Sequence, residues 1–396
     1  MRVCLVCATF PPEICGVGDF TFQLARALGE AGIEVSVVTS DRGLPEDANQ
    51  APAGVIVRRP VASWTLRQLP ALVRTLRAGR YDLVHVQYTP NLYGRRTLAI
   101  NLMPSLAARI LHTPTLVTFM EFYTPLSHGL RELVAGVYDR LKDTLLLWTS
   151  TGVIVTVPNR ARRLSRLFPW LRRRVHVLHS GANLELGQTV PEDRERGRAR
   201  FGIGPTELVI GSFGSLHTDK RYELLLRVAR RLLDQGHQIR LLLIGAHSDD
   251  HPYYRYLAQC VSDLGLGSCV IWTGFGTPTE ISRWLLATDI YVMTDLRGAS
   301  ARKSSLITAL AHGLPTVSTR GVDTEGEFVD GDGIVLVDAR DEEESLVHHL
   351  DRLLKDPEER RRLALGARRL HQSQFSWQGI ARAATDIYQQ YLPRGR

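Results

Sequence analysis

The sequence predicts an α/β fold made of two doubly wound halves, and three features carry that expectation. Short apolar runs of strand length alternate with amphipathic helical stretches from the first residues onward. The alternation pauses at a polar, charge-dense stretch over 187–200 and then starts again. At 396 residues the chain is too long for one ordinary core and about right for two domains of ~150–200 residues each. Strands that alternate with helices pair in parallel and are covered on both faces, so each half should be a helix-covered parallel sheet, and two halves imply a cleft.

In the first half, the runs 3–8, 35–39, 83–87, 115–119 and 153–157 read as strands, with a helix over about 19–30. In the second, 208–213, 239–244, 269–272, 290–293 and 316–318 read as strands, followed by 333–337. Helical periodicity is clear over 223–229 and again over 305–312, where Gly313-Leu314-Pro315 stops the helix. Segment 377–391 repeats Ile380, Ala381, Ala384, Ile387, Tyr388 and Tyr391 on one face and has to dock on something already folded. The expected divisions are a domain over 1–186, a linker over 187–205, a domain over 206–372 and a terminal segment over 373–396.

Composition sets outer bounds. With 44% hydrophobic and 23% charged residues and no low-complexity tract, the chain belongs with globular proteins. No apolar run approaches the roughly 20 residues of a membrane helix, and the opening run is too short for a signal-peptide core, so a cytoplasmic location is expected. Five cysteines are an odd number for a disulfide framework, and Cys4 and Cys7 should point to opposite faces of a strand as core residues rather than share a metal. The net charge of +8 suits nucleic acid, anionic lipid or phosphorylated substrates alike, so its distribution matters more.

Basic residues crowd 160–174, with Arg160, Arg162, Arg163, Arg166, Arg172, Arg173 and Arg174 around Leu164, Leu167, Phe168, Trp170 and Leu171. The preferred reading is a solvated helix face; the sharper one is peripheral contact with the inner face of a membrane or with a lipid-linked acceptor. No nucleic-acid partner is expected.

Chemistry concentrates in two strand-to-helix loops of the second half and one of the first. After the first strand, Gly16-Val17-Gly18-Asp19 precedes a helix, where backbone amides favour an anion; Thr21 stands where the dinucleotide fingerprint needs a third glycine. The second half repeats the pattern with Gly214 and Ser215 leading to Lys220, a point charge suited to a phosphate oxygen. Lysine occurs only at Lys142, Lys220, Lys303 and Lys355; the first and last read as solvated helix positions, while Lys220 and Lys303 enter helices from βα loops, where open α/β sheets bind ligands. Around Lys303, the stretch Ser300-Ala301-Arg302-Lys303-Ser304-Ser305 supplies two cations and hydroxyls at a helix start, with Ser304 as an expected cap. The acidic turns Asp330-Gly331-Asp332 and Asp249-Asp250-His251 are explained by turn chemistry, so no catalytic metal is expected. Hydrolase triads, metal-spaced Cys/His clusters and the Walker motif are absent from the sequence.

Over nearly its whole length the chain resembles glycosyltransferase family 4, retaining enzymes of the GT-B fold. The matching pieces, in order, are Pro11-Pro12 through Asp19, Asp82 through Gln87, Ser180-Gly181-Ala182-Asn183, Gly214 through Lys220, Thr273-Gly274-Phe275, Ala309 through Pro315 and Phe375-Ser376-Trp377. The resemblance implies two Rossmann-like domains with parallel sheets facing across a cleft, a nucleotide sugar on the C-terminal domain, an acceptor on the N-terminal one, and a final helix crossing back to the first domain. It also implies that cations and helix N-termini neutralise the leaving diphosphate without a metal or other cofactor. The leaving phosphate itself then helps to deprotonate the acceptor, so the protein chiefly positions and stabilises charge.

Three positions depart from the family pattern. Its paired glutamates align with Ser300 and Thr308, its phosphate-loop arginine with Ser215, and its histidine after the fifth strand with Met120, followed by Glu121. The loop readings and the resemblance together put Gly16, Val17, Gly18, Gly214, Ser215, Lys220, Arg302, Lys303, Ser304 and Ser305 on the donor diphosphate. The aligned positions Gly274, Phe275, Ser300, Thr308 and Met120 are expected on nucleoside and sugar; the catalytic candidates are Lys220, with Arg302, Glu121 and Asp19 as replacements for the departing positions. The expected activity is transfer from a nucleoside diphosphate sugar to a glycan, lipid-linked or small-molecule acceptor with retention. The alternatives are a nucleotide-sugar-binding protein that has lost catalysis and an epimerase or phosphorylase of the same architecture.

Overall fold

The computed structural model describes the chain apart from residues 14, 42–50, 95–97, 121–129, 183, 185–189, 191, 246, 248, 339–341 and 393–396. It divides into two compact units, Met1–Gly181 with Trp377–Arg396, and Ala182–Ser376.

In the first unit, β1 (Arg2–Cys7), β2 (Glu34–Ser40), β3 (Ile56–Val61), β4 (Leu83–Tyr88), β5 (Thr115–Phe119), β6 (Gly152–Val155) and β7 (Val175–Val177) form one parallel sheet in the order β3-β2-β1-β4-β5-β6-β7. Alternation along the strands sorts the core onto two faces. Cys4, Val6, Val84 and Val86 join one cluster, and Val3, Leu5, Cys7 and Leu83 join the other. Cys4 and Cys7 therefore point apart, both as free thiols, and burial pushes the Cys7 thiol up to about 12.

Two strands were not legible in advance. β3 reads Ile-Val-Arg-Arg-Pro-Val and β7 has only three residues; both lie at sheet edges, where a proline or an interrupted apolar pattern is tolerated.

Helix Trp377–Gln389 packs with the first unit, its Trp377, Ile380, Ala384 and Tyr388 buried in the cluster that holds Leu5 and Leu24. A Cβ added at Gly181 would stand 2.5 Å from the Trp377 ring, so a glycine lets the end of the first stretch lie against the returning helix. The Trp377 ring in turn lies 5.5 Å from that of Phe20.

The second unit holds β8 (Leu208–Phe213), β9 (Ile239–Ile244), β10 (Val270–Trp272), β11 (Ile290–Met293), β12 (Thr316–Thr319) and β13 (Ile334–Val337), in the order β10-β9-β8-β11-β12-β13, all parallel. The chain winds outward from β8 through β9 to β10 and then returns to its other side at β11. The carboxyl ends of β8 and β11 thus flank the topological switch point, where such sheets leave a crevice.

Three expectations need correction. The stretch expected as a linker contains helix Glu192–Arg200, which belongs to the second unit: Arg194 and Arg198 both reach the Asp289 carboxylate, at 2.5 and 3.3 Å. The first helix begins at Gly16 rather than near Asp19, so Gly16-Val17-Gly18 is its first turn. Lys142 is buried rather than solvated, its ammonium 2.9 Å from Asp139.

Candidate functional site

Within the second unit the loops after β8, β9 and β10 are held together by glycines. Lys220 closes a short turn, Thr218–Lys220, and its ammonium folds back to donate to the Phe213 carbonyl at 3.1 Å. Gly214 has φ +136°, and a Cβ there would overlap the Lys220 Nζ, so a glycine is needed both for the backbone and for the lysine. Gly245, after β9, packs its own vacant Cβ position against the Gly214 carbonyl and bridges to Gly274 after β10.

The loop after β11 is stitched to the loop after β8. Thr294 donates through its hydroxyl to the Lys220 carbonyl at 2.6 Å, Leu296 N–H donates to the Asp219 carbonyl at 2.7 Å, and Arg221 Nε donates to the Thr294 carbonyl at 3.0 Å. Arg221 is itself fixed by a bidentate pair with Glu342, both contacts 2.6 Å. These ties hold Lys220 and the start of helix Ser304–Ala311 beside one switch point.

The start of that helix differs from expectation. Ser304 is its first helical residue, not its cap; Lys303 occupies the cap position and makes no side-chain capping bond. The first turn of an α-helix leaves amides without intrahelical partners, and here these are the Ser304 and Ser305 N–H groups.

Lys220, Arg302, Lys303, Ser304 and Ser305 line a cavity of about 470 Å³ together with Gly214, Ser215, Phe275 and Ile281. The lining combines cationic side chains with apolar ones. Phe275 is 85% exposed, which leaves a ring face open to a stacking partner. Gly274, at φ +74°, sets the turn that presents it.

The cations are not equivalent. Burial pushes the Lys220 ammonium down to about 8; the Asp295 carboxylate opposes that fall and the Lys303 charge adds to it. Lys303 is ion-paired to the buried Asp295 at 2.5 Å, so part of its charge is already compensated. Arg302 is exposed. Asp295 had no place among the expected site residues, although it stands two residues past the apolar run 290–293.

Ser300 and Thr308 are buried and do not line the cavity. The Ser300 hydroxyl donates to Glu325 at 2.9 Å, and the Ala301 N–H donates to the other oxygen of the same carboxylate at 3.1 Å. Burial pushes Glu325 up to about 7 against these two bonds. Glu325 was also missed; it lies 25 residues from Ser300 in a glycine-containing loop with no periodic signal.

The remaining candidates belong to the first unit. Gly16, Val17 and Gly18 form a helix first turn, and a Cβ on Gly18 would come within 3.1 Å of the Thr9 carbonyl. Asp19 is partly buried, which raises its carboxyl above the ordinary range. Met120 follows β5, and its carbonyl accepts from Arg160 at 2.6 Å. Glu121 lies outside the described residues.

Comparison with known proteins joins these observations. The family model for group 1 glycosyl transferases matches residues 193–370, and that for Glycosyltransferase Family 4 matches 14–186. A D-inositol 3-phosphate glycosyltransferase from Nocardioides sp. is 27% identical over 96% of this chain and 87% of its own length. Among solved structures, the Anabaena protein HepE in complex with UDP and glucose is 18% identical, with a TM-score of 0.70 over 98% of this chain and 100% of that one. A glycosyltransferase from Rickettsia africae is 13% identical, with a TM-score of 0.77 over 100% and 99%.

Proposed function

The chain belongs to glycosyltransferase family 4, with the two Rossmann-like domains of the GT-B fold, and we propose that it transfers a sugar from a nucleoside diphosphate sugar without a metal ion. The cavity at the β8–β11 switch point carries this reading, because Lys220, Arg302 and the start of helix Ser304–Ala311 converge there from two loops. Its volume is in the range of small-molecule sites.

In this reading the diphosphate lies against Lys220, Arg302 and the Ser304 and Ser305 amides, and the base rests on Phe275. Breaking the anomeric bond places a further negative charge on the leaving phosphate. Fixed cations and helix amides stabilise that charge without reorganising, which is where the rate enhancement arises. Lys303 contributes less than its position suggests, because Asp295 shares its charge. The leaving phosphate draws the acceptor proton, and the acceptor attacks from the same face, giving retention.

UDP-glucose is the first donor to test and UDP the first nucleotide, since these are bound in the HepE structures. A phosphorylated polyol is the first acceptor, given the activity for which the Nocardioides relative is named. A thermal-shift panel of nucleoside diphosphates and their sugars, followed by product analysis with EDTA present, tests the reading. Stabilisation by one nucleoside diphosphate and EDTA-resistant, acceptor-dependent sugar release are expected. Wild-type turnover in Lys220→Ala would remove Lys220 from the site. Nucleotide binding without transfer or donor hydrolysis would leave a binding protein, a reading favoured only by the burial of Ser300 and Thr308.

A further inference from the structure

Helix Leu130–Thr149 of the first unit carries charged residues on its buried side as well as leucines. Asp139, Lys142 and Asp143 are buried beside Leu146 and Leu147: Asp139 and Lys142 pair with each other, and Asp143 accepts from the Tyr88 hydroxyl at 3.0 Å. Its outward stripe is apolar. Val134 is 62% exposed, Val137 46%, Leu141 64% and Trp148 70%, at spacings of three, four and seven that keep them on one side. A helix face turned to water is ordinarily polar, and a contiguous apolar stripe marks a contact surface.

The stripe runs into the arginine-rich segment. Trp148 and Thr144 share a cavity of about 420 Å³ with Phe168, Trp170 and Arg174, and the Arg174 guanidinium lies 5.1 Å from the centre of the Trp170 ring. Around this junction Arg162, Arg163, Arg166, Arg172 and Arg173 are exposed, as are Leu167 and Trp170. Residues 158–174 contain seven arginines and no acidic residue. The preferred reading of the segment as a merely solvated helix face does not account for the apolar stripe beside it.

The geometry points to a docking surface for an anionic phospholipid bilayer, formed by the outer stripe of helix Leu130–Thr149 with Trp170 and the arginines of 162–173. Leucine, valine and tryptophan side chains enter the boundary between headgroups and acyl chains, while arginines pair with lipid phosphates. An unbalanced cationic rim selects a lipid surface over a second copy of this chain, which would bring the same five exposed arginines against themselves. Among the described residues no helix is long and apolar enough to cross a membrane, so the contact is superficial. The surface lies in the first unit and the donor cavity in the second, so this inference does not rest on the donor reading.

Co-sedimentation of the full chain with extruded vesicles tests it. The chain should pellet with vesicles of phosphatidylcholine and phosphatidylglycerol, stay in solution with phosphatidylcholine alone, and be released by ~0.5 M salt. The double variant Leu141→Glu/Trp148→Glu, and separately Arg162→Glu/Arg163→Glu/Arg166→Glu, should each weaken partitioning roughly tenfold or more with unchanged melting curves. No pelleting, equal pelleting with both vesicles, or undiminished pelleting of both variants would overturn it. A concentration-dependent dimer in the ultracentrifuge, abolished by Leu141→Glu and unaccompanied by vesicle binding, would instead give this face to a second copy.

Discussion

The Lys303 ammonium stands 2.5 Å from the carboxylate of Asp295, a side chain only 1% exposed. The cation at the cap of helix Ser304–Ala311 is therefore held in place before any donor arrives, and the same carboxylate acts on Lys220. Asp295 sets how much positive charge the cavity offers and the pH at which it is lost.

Asp295→Asn should accordingly have two separable effects. Leaving Lys303 without its partner should cost about 2–4 kcal/mol of stability, read by denaturant unfolding. Without the carboxylate that holds its charge up, Lys220 should lose its proton at lower pH, so the alkaline limb of donor affinity should move toward neutrality. Titration calorimetry with UDP across the range from neutral to alkaline pH checks this; an unmoved limb would show that Asp295 does not govern Lys220.

Lys220 should bind donor only while protonated. Its charged state is held down to about 8 by burial, so donor affinity should be full below that pH and fall as pH rises through it. Lys220→Met should remove the alkaline limb and lower donor affinity by about 100-fold. It should also melt higher than the parent without ligand, because an apolar chain replaces a desolvated charge whose shift corresponds to about 3 kcal/mol. Gly214→Ala, which would place a methyl where the Lys220 Nζ lies, should reproduce the affinity loss but melt lower.

The parallel sheets and the switch-point cavity were legible because they depend on local signals: apolar runs such as 208–213 and 239–244, glycines where strands end, and lysines in βα loops. Lys142 shows where local reading stops. Its neighbours in sequence suggest a solvated helix, but the helix turns its charged side toward Tyr88 and Asn101, far away in sequence, and buries it. Asp295 and Glu325 escaped for a related reason. Each is defined by a partner on another loop, Lys303 and Ser300, and a single sequence carries no record of that pairing. Residues 192–200 are so charged that they read as a linker, yet Arg194 and Arg198 are consumed by Asp289.

Glu325 supports the loop that leads into Arg302 and Lys303, through Ser300 and the Ala301 amide. Its folded carboxyl titrates at about 7 against an ordinary 4.5, so the folded chain holds a proton that the unfolded chain releases between those values. Stability from this group is full below about 4.5 and falls as pH rises through 7, by about 3 kcal/mol. Glu325→Gln should flatten this dependence, narrowing the difference in melting temperature between pH 5 and pH 8. It should raise the donor KM more than it lowers kcat, since Glu325 holds the loop rather than the reacting atoms. An undiminished difference between the two pH values would assign it to other groups.

The returning helix should prove necessary to the first unit through His85. This ring is fully buried between the Tyr388 hydroxyl at 2.7 Å and the Thr118 hydroxyl at 2.6 Å, and burial pushes it down to about 3. Tyr388→Phe leaves one ring nitrogen without its partner and should cost about 1–3 kcal/mol. Because the unfolded imidazole takes up a proton near 6.5 while the folded one stays neutral, the unfolded chain binds more protons throughout the interval between them. Stability from His85 is therefore full above 6.5 and drains as pH falls toward 3. His85→Asn should make the protein less stable at neutral pH but less sensitive to acid, measured as the change in urea midpoint between pH 7 and pH 4.5. Equal acid sensitivity in parent and variant would show that other buried groups drive acid unfolding.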